Sequence, residues 1–171
     1  MKYFAILTVF LLFYCCGKEN PVAEQEKKIE SYIKTKMSKN SNLKLSQNGD
    51  VFYLYESDGV SESVSAGDSV YFYYAAVLLL DTLKYFDTNI REIFDILGLD
   101  VSNRNFEPQG TVVGSGKYLK GLDIGLKMVH DGDAGEIIFN SDYGFGGKAN
   151  GIVPSHSALI YKVFITGVRK K

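Results

Sequence analysis

The chain has 171 residues, of which 46% are hydrophobic and 13% aromatic, and its 19 basic residues nearly balance its 20 acidic ones. This length suits one domain with short appendages, and a net charge of −1 offers no electrostatic footprint for nucleic acid or an acidic membrane surface. The two cysteines, Cys15 and Cys16, are adjacent, which excludes a disulfide framework and a thiolate zinc site. With only two histidines as well, we expect no metal, no cofactor and no nucleic-acid partner.

The first segment, residues 1–15, is predicted to be a lipoprotein signal peptide. An apolar run over residues 3–14 follows a short positive start and is too short to span a bilayer comfortably. The run ends in a motif that resembles a bacterial lipobox, and Cys16 is the predicted lipidation site because Cys15 is a small residue before the cut. The alternatives are acylation of Cys15, an ordinary cleaved secretory signal and a buried helix. Acyl chains would hold the protein at a membrane, since each buried CH₂ contributes about 0.8 kcal/mol.

Residues 16–42 are predicted to form a membrane tether followed by a helix. Asn20, which precedes a proline, suits the N-cap position of that helix. Ile29, Ile33 and Met37 recur at helical spacing among charged residues. We therefore expect a thinly amphipathic helix whose charges form a solvated face instead of a binding patch.

A hairpin extension is predicted over residues 43–66. Residues 43–46 and 51–55 have strand character and flank an Asn-Gly pair, which is the strongest short-range signal for a hairpin. We predict the turn at Asn48 and Gly49.

The remainder, residues 67–171, is predicted to be a single α+β domain. Its aromatic and aliphatic content, with glycine-bearing turns between the apolar stretches, indicates several strands and one short helix near the middle. The predicted strands cover residues 69–80, 111–113, 135–140 and 158–168, and the predicted helices cover residues 118–129 and 90–99.

Several short motifs of this domain follow the order found in one family. They are AGDSVYFYY at residues 66–74, FDT at 86–88, VGSGKYLKGLDIGL at 113–126, GD at 132–133, YGFG at 143–146, VP at 153–154 and ALIYKV at 158–163. In this order and spacing the chain resembles the FKBP-type peptidyl-prolyl isomerases over residues 67–171. The resemblance implies a strongly twisted antiparallel β-sheet wrapped around one short α-helix, with an apolar pocket between them. The N-terminal helix and hairpin resemble the extension of lipid-anchored bacterial relatives.

The resemblance also implies which residues form the pocket. Its predicted catalytic residues are Tyr74, Phe86, Asp87, Phe145 and Tyr161, and its predicted substrate-binding residues are Tyr118, Leu119, Leu122 and Val153. Asp87 matches the family's carboxylate at the pocket edge, which orients the ligand without transferring a proton. Without the family order, the aromatic residues would be interpreted as core packing and Asp87 as a turn residue.

Departures from the family pattern bear on activity. Leu122 stands at the pocket floor, where well-known members carry tryptophan, and Phe145 lacks the hydroxyl group of the usual tyrosine. Gln109 stands where an aromatic wall residue is expected. An insertion before Pro108 replaces the usual short loop.

The predicted function is peptidyl-prolyl cis-trans isomerisation that assists the folding of envelope or exported proteins. The expected partners are proline-containing segments of client proteins and a membrane reached through the lipid anchor. We expect a monomer in the bacterial cell envelope. A catalytically weak or inactive chaperone that binds proline segments is the alternative, and a purely structural lipoprotein on the same fold is a third possibility.

Overall fold

The computed structural model describes residues 20–56, 64–98 and 105–171. The predicted lipidation site Cys16 and the signal segment lie outside the described residues. Within the described part, no helix is both long enough and apolar enough to cross a membrane. The strands are β1 (Lys44–Asn48), β2 (Val51–Glu56), β3 (Ser69–Leu78), β4 (Lys84–Thr88), β5 (Gln109–Val112), β6 (Ala134–Phe139) and β7 (Leu159–Arg169). The helices are α1 (Pro21–Lys39), α2 (Arg91–Leu97) and α3 (Lys120–Gly125), with a 3₁₀ helix at Ser141–Tyr143.

The strands form one antiparallel sheet in the order β1-β2-β6-β7-β3-β4, and β5 pairs with β3 as well. Strand β3 is rich in aromatic and β-branched side chains, which fit a pleated and largely buried surface. It shares a long ladder with β7, from Ser69 opposite Arg169 to Leu78 opposite Leu159. An antiparallel sheet with few helices, one of them N-terminal, confirms the predicted α+β class.

Side-chain alternation along the strands divides the core into two clusters on opposite faces of the sheet. Phe72 and Leu122 lie in the larger cluster, on the face covered by α3. Ile29 and Ile33 of α1 lie in the smaller cluster, on the other face, as their helical spacing predicts. Met37, predicted to continue that stripe, is 36% exposed in the last turn of α1. Burial of an isoleucine side chain contributes about 1.5–3 kcal/mol to stability, so Ile29 and Ile33 together hold α1 firmly on the sheet.

The predicted hairpin forms, but its turn lies one residue further along the chain. Asn48 pairs with Val51, so the two-residue loop consists of Gly49 and Asp50 instead of Asn48 and Gly49. Gly49 has a φ of +60°, and glycine at the first loop position is what a type II′ turn requires. Strand β2 then pairs with β6, so the hairpin belongs to the main sheet.

Two further elements differ from the prediction. The sequence pattern does not indicate β4, which forms through its pairing with β3. Helix α3 is shorter than the helix predicted over residues 118–129. Its backbone tightens at the C-terminal end, because the Lys127 N–H donates to the Ile124 carbonyl oxygen and the Met128 N–H to that of Gly125, three residues back in each case.

Candidate functional site

Tyr74 and Asp87 lie on neighbouring strands, β3 and β4, and are joined by a hydrogen bond. The Tyr74 hydroxyl donates to Asp87 Oδ2 at 2.8 Å, and the Thr88 backbone N–H donates to Asp87 Oδ1 at 3.0 Å. Each carboxylate oxygen therefore accepts a hydrogen bond, which fixes the orientation of the group. A fixed carboxylate fits the orienting role predicted for Asp87.

Tyr161 on β7 joins several of the aromatic rings. Its ring centroid lies 5.8 Å from that of Tyr74, 6.3 Å from that of Phe86 and 5.9 Å from that of Phe139. The Phe86 ring meets it edge-on at 86°, whereas the Phe139 ring stacks on it at 15°. Burial raises the pKa of the Tyr161 phenol and the charge of Asp87 raises it further, so this side chain stays neutral in alkaline solution where an exposed phenol would ionise.

Phe145 reaches the same group of rings from the loop that follows the 3₁₀ helix. Its ring centroid lies 6.4 Å from that of Phe86, with the ring planes at 71°. Both rings are half-buried and so keep accessible surface. The structure thus brings the five predicted catalytic residues together. Their four rings form a chain of contacts from Tyr74 through Tyr161 and Phe86 to Phe145, and the carboxylate is attached through Tyr74. Their catalytic roles stay predictions.

The four residues predicted to bind substrate belong to the same core cluster but differ in exposure. Leu122 and Val153 are each only 2% exposed, whereas Tyr118 and Leu119 are half-buried. The Tyr118 ring centroid lies 5.8 Å from that of Phe72, in an edge-on contact. The predicted floor position, Leu122, therefore offers little surface to a ligand, and Tyr118 and Leu119 offer more.

Polar and basic groups lie beside the Tyr118 and Tyr143 rings. Gln109, at the position where an aromatic wall residue is expected, accepts a hydrogen bond of 3.3 Å from the Tyr118 hydroxyl. Lys117 Nζ lies 5.2 Å from the centroid of the Tyr118 ring, and Lys120 Nζ lies 4.3 Å from that of Tyr143. Such cation–π contacts keep both ammonium groups close to aromatic surface.

Two residues outside the set of predicted site residues, Thr88 and Asn89, hold the backbone of Tyr74. Buried Thr88 donates through Oγ1 to the Tyr74 carbonyl oxygen at 2.7 Å, and the Asn89 N–H donates to the same oxygen at 3.2 Å. In return, the Tyr74 N–H donates to Asn89 Oδ1 at 2.6 Å. The sequence feature that could have predicted these bonds is the Asp-Thr-Asn run at residues 87–89, since short polar side chains readily form hydrogen bonds to nearby backbone groups.

The chemistry of this site is that of an apolar surface with one anchored carboxylate. Among residues 20–56, 64–98 and 105–171, no three His, Cys, Asp or Glu side chains are grouped to hold a metal ion. Ring surface of this kind favours an uncharged, compact and apolar ligand group, because a charged group would lose its hydration there. A proline ring has these properties.

Comparison with known sequences gives relatives of one kind. A sequence profile of the family described as FKBP-type peptidyl-prolyl cis-trans isomerase matches residues 60–166. FK506-binding protein 1 of Aspergillus oryzae is 39% identical over 51 residues, which are 30% of this chain and 44% of that protein. Peptidyl-prolyl cis-trans isomerase FKBP7 of Mus musculus is 23% identical over 166 residues, which are 96% of this chain and 62% of that protein. In both relatives the matched region spans less than two thirds of the relative's own length.

Solved structures share the fold. FkpA from Escherichia coli superimposes with a TM-score of 0.58 at 23% identity, over 86% of this chain and 61% of the FkpA chain. The N-terminal domain of FKBP42 from Arabidopsis thaliana superimposes with a TM-score of 0.60 at 19% identity, over 74% of this chain and 93% of that domain. These likenesses confirm the predicted FKBP-like fold. The family profile also matches more than half of the residues of this chain. The chain therefore belongs to the FKBP-type peptidyl-prolyl cis-trans isomerase family.

Proposed function

We propose that this protein is a peptidyl-prolyl cis-trans isomerase that acts on proline-containing segments of folding polypeptides. The observation that carries the proposal is the ring group of Tyr74, Phe86, Phe145 and Tyr161, which has Asp87 at its edge. Centroid distances of 5.8 to 6.4 Å within this group support a continuous apolar surface for a proline ring. Family membership supports the same reaction.

The reaction needs no acid, base or nucleophile. Rotation about a peptide bond has a barrier of about 18–20 kcal/mol, because planarity carries the amide resonance. A twisted amide is less dipolar than a planar one. An apolar site that excludes water therefore disfavours the planar ground state relative to the twisted transition state.

Some of these residues would enclose the proline ring, and Asp87 would orient the peptide chain. The proline ring would pack against Phe86 and Tyr161, and the Tyr161 ring suits an apolar wall because it is buried against other aromatic rings. Asp87, fixed by its bond to Tyr74, would orient the peptide chain. Half-buried Tyr118 and Leu119 would complete the binding surface, and Leu122 and Val153, each 2% exposed, would support it from the core.

The direct test is NMR exchange spectroscopy on a short proline peptide mixed with the full chain in detergent. We expect cis/trans exchange to be faster than in buffer and to slow when Phe86 is replaced by Leu. Phe164→Leu is the matched control, since Phe164 is 44% exposed and lies on the other face of β7. An exchange rate equal to that in buffer would reject the enzyme.

A binding protein without turnover is the second candidate, and the burial of Leu122 favours it. At 2% exposure, this side chain provides almost no platform under a bound proline ring. Such a protein would suppress the aggregation of an unfolded client, and proline peptides would shift the Phe145 ring resonances, while exchange stays at the buffer rate. Acceleration of exchange would exclude this candidate.

We further propose that Cys16 carries a lipid that anchors the protein in the bacterial cell envelope. The lipobox-like run before it supports this proposal. Labelling with a fatty-acid analogue tests it. We expect Cys16→Ser to abolish the label and Cys15→Ser to keep it. The reverse result would assign the lipid to Cys15, and an unlabelled native chain would reject acylation.

A further inference from the structure

Gln25 on α1 makes two hydrogen bonds to Ser141, the first residue of the 3₁₀ helix. The Ser141 backbone N–H donates to Gln25 Oε1 at 2.7 Å, and Gln25 Nε2 donates to Ser141 Oγ at 3.1 Å. Gln25 is 6% exposed and Ser141 is 1% exposed, so water does not compete for these bonds. The pair joins two residues 116 positions apart in the chain.

Ser141 in turn holds the backbone on both sides of Phe145. Its carbonyl oxygen accepts hydrogen bonds from the Gly144 N–H at 2.9 Å and from the Gly146 N–H at 2.8 Å. A shift of Ser141 would therefore move the backbone N–H groups of the two glycines on either side of Phe145. The contact of that ring with Phe86, at 6.4 Å between centroids, depends on this loop.

Helix α1 is anchored to the sheet by contacts other than those of Gln25. Ile29 is buried in the smaller of the two core clusters, on the face of the sheet that α1 covers. Further along the helix, the Tyr32 hydroxyl donates to Glu136 Oε2 at 2.8 Å and Lys36 Nζ lies 3.0 Å from Glu136 Oε1. Gln25 thus belongs to a firmly seated helix, and its replacement leaves these other anchors in place.

We propose that Gln25 is a positioning residue for the proline site, acting through Ser141 on the loop that presents Phe145. The inference rests on the proposed function in one respect, namely that Phe145 contacts the substrate. It gives α1 a part in the site, although Gln25 lies outside the residues matched by the family profile, 60–166.

Three variants of the full chain test this coupling. Gln25→Met keeps the length of the side chain but leaves the buried Ser141 N–H without a partner, which is costly enough to make the loop shift. Gln25→Glu keeps an oxygen acceptor for that N–H. Ile29→Ala is the matched control, because it removes packing one turn further along α1 without changing a hydrogen-bonding group at Ser141.

Three readouts are compared: amide hydrogen exchange at Gly144 and Gly146, the Phe145 ring resonances and kcat/KM for a proline peptide. We expect Gln25→Met to speed exchange at the two glycines, shift the Phe145 resonances and lower kcat/KM about threefold to tenfold. Gln25→Glu should recover part of each loss. Ile29→Ala should lower the unfolding midpoint. Exchange at the two glycines should then become faster only by the amount that the loss of global stability accounts for.

Unchanged glycine exchange in Gln25→Met would overturn the inference, and so would an equal change in Ile29→Ala. Failure of the proposed function gives a different pattern. A native chain without catalysis would refute the isomerase, whereas glycine exchange and the Phe145 resonances report on the loop without any turnover.

Discussion

The Tyr74 hydroxyl donates a hydrogen bond of 2.8 Å to Asp87 Oδ2, and this bond joins the ring group to its carboxylate. The backbone of Tyr74 is held by Thr88 and Asn89, which directly follow that carboxylate in the chain. Ring and carboxylate are therefore placed by the same short segment at the end of β4. This arrangement makes the pairing of β3 with β4 a condition for the site.

Tyr74→Phe is expected to lower kcat/KM for a proline peptide about fivefold, since a hydrogen bond to a charged group contributes about 1.5–3 kcal/mol and less where it is half-exposed. The ring stays in place, but Asp87 loses one of the hydrogen-bond donors that orient it. Tyr73→Phe is the matched control on the adjacent residue of β3, whose side chain lies on the opposite face beside Phe106 and Phe164. Equal losses in the two variants would contradict the role of the bond.

Phe145→Tyr is expected to tighten the binding of a proline peptide about twofold to tenfold, because a neutral hydrogen bond contributes about 0.5–1.5 kcal/mol net. The added hydroxyl supplies the donor that this position has in the family pattern. An NMR titration measures the affinity. Phe164→Tyr adds the same group at a residue that is 44% exposed on the other face of β7, where no gain is expected. A similar gain in that control would remove Phe145 from the binding surface.

Gly121→Ala is expected to destabilise the fold by about 1–3 kcal/mol, because overpacking forces neighbouring groups to move. A Cβ at this position would lie 2.3 Å from Cγ of the buried Phe139 ring, so α3 would have to move away from β6. Urea denaturation measures the loss. Gly147→Ala is the control, since its Cβ would meet only the exposed His156 side chain, at 3.2 Å. An unchanged midpoint for Gly121→Ala would show that α3 tolerates this displacement.

Asp68→Asn is expected to destabilise the protein at neutral pH but much less in acid. Hydrogen bonds from the backbone N–H groups of Ser65 and Lys171, and the charge of Lys170, lower the pKa of Asp68. Because the folded-state pKa lies below the unfolded value, the carboxylate stabilises the fold above that value. This contribution disappears as the pH falls through the folded-state pKa.

Urea midpoints at neutral pH and near pH 3 test the linkage at Asp68. The difference between the native chain and Asp68→Asn should shrink at the lower pH. A difference that stays constant over this range would mean that the carboxylate charge of Asp68 contributes nothing to stability.

Local features of this protein follow from its amino-acid sequence. The Asn20 side chain caps α1 as expected, accepting from the Val22 N–H at 3.1 Å, because a cap forms between residues two positions apart. Ile29 and Ile33 share a buried helix face for the same local reason. The motif order resembling one family also named the residues that form the ring group, although it offered no distances between them.

Features that join distant residues follow from the folded chain. The pairing of β1 with β2 places the turn at Gly49 and Asp50 instead of the predicted Asn48 and Gly49. Strand β4 forms because it pairs with β3. The bonds between Gln25 and Ser141 span 116 positions. No local propensity encodes such pairs, because their donors and acceptors meet only when the strands are in register and α1 is seated on the sheet.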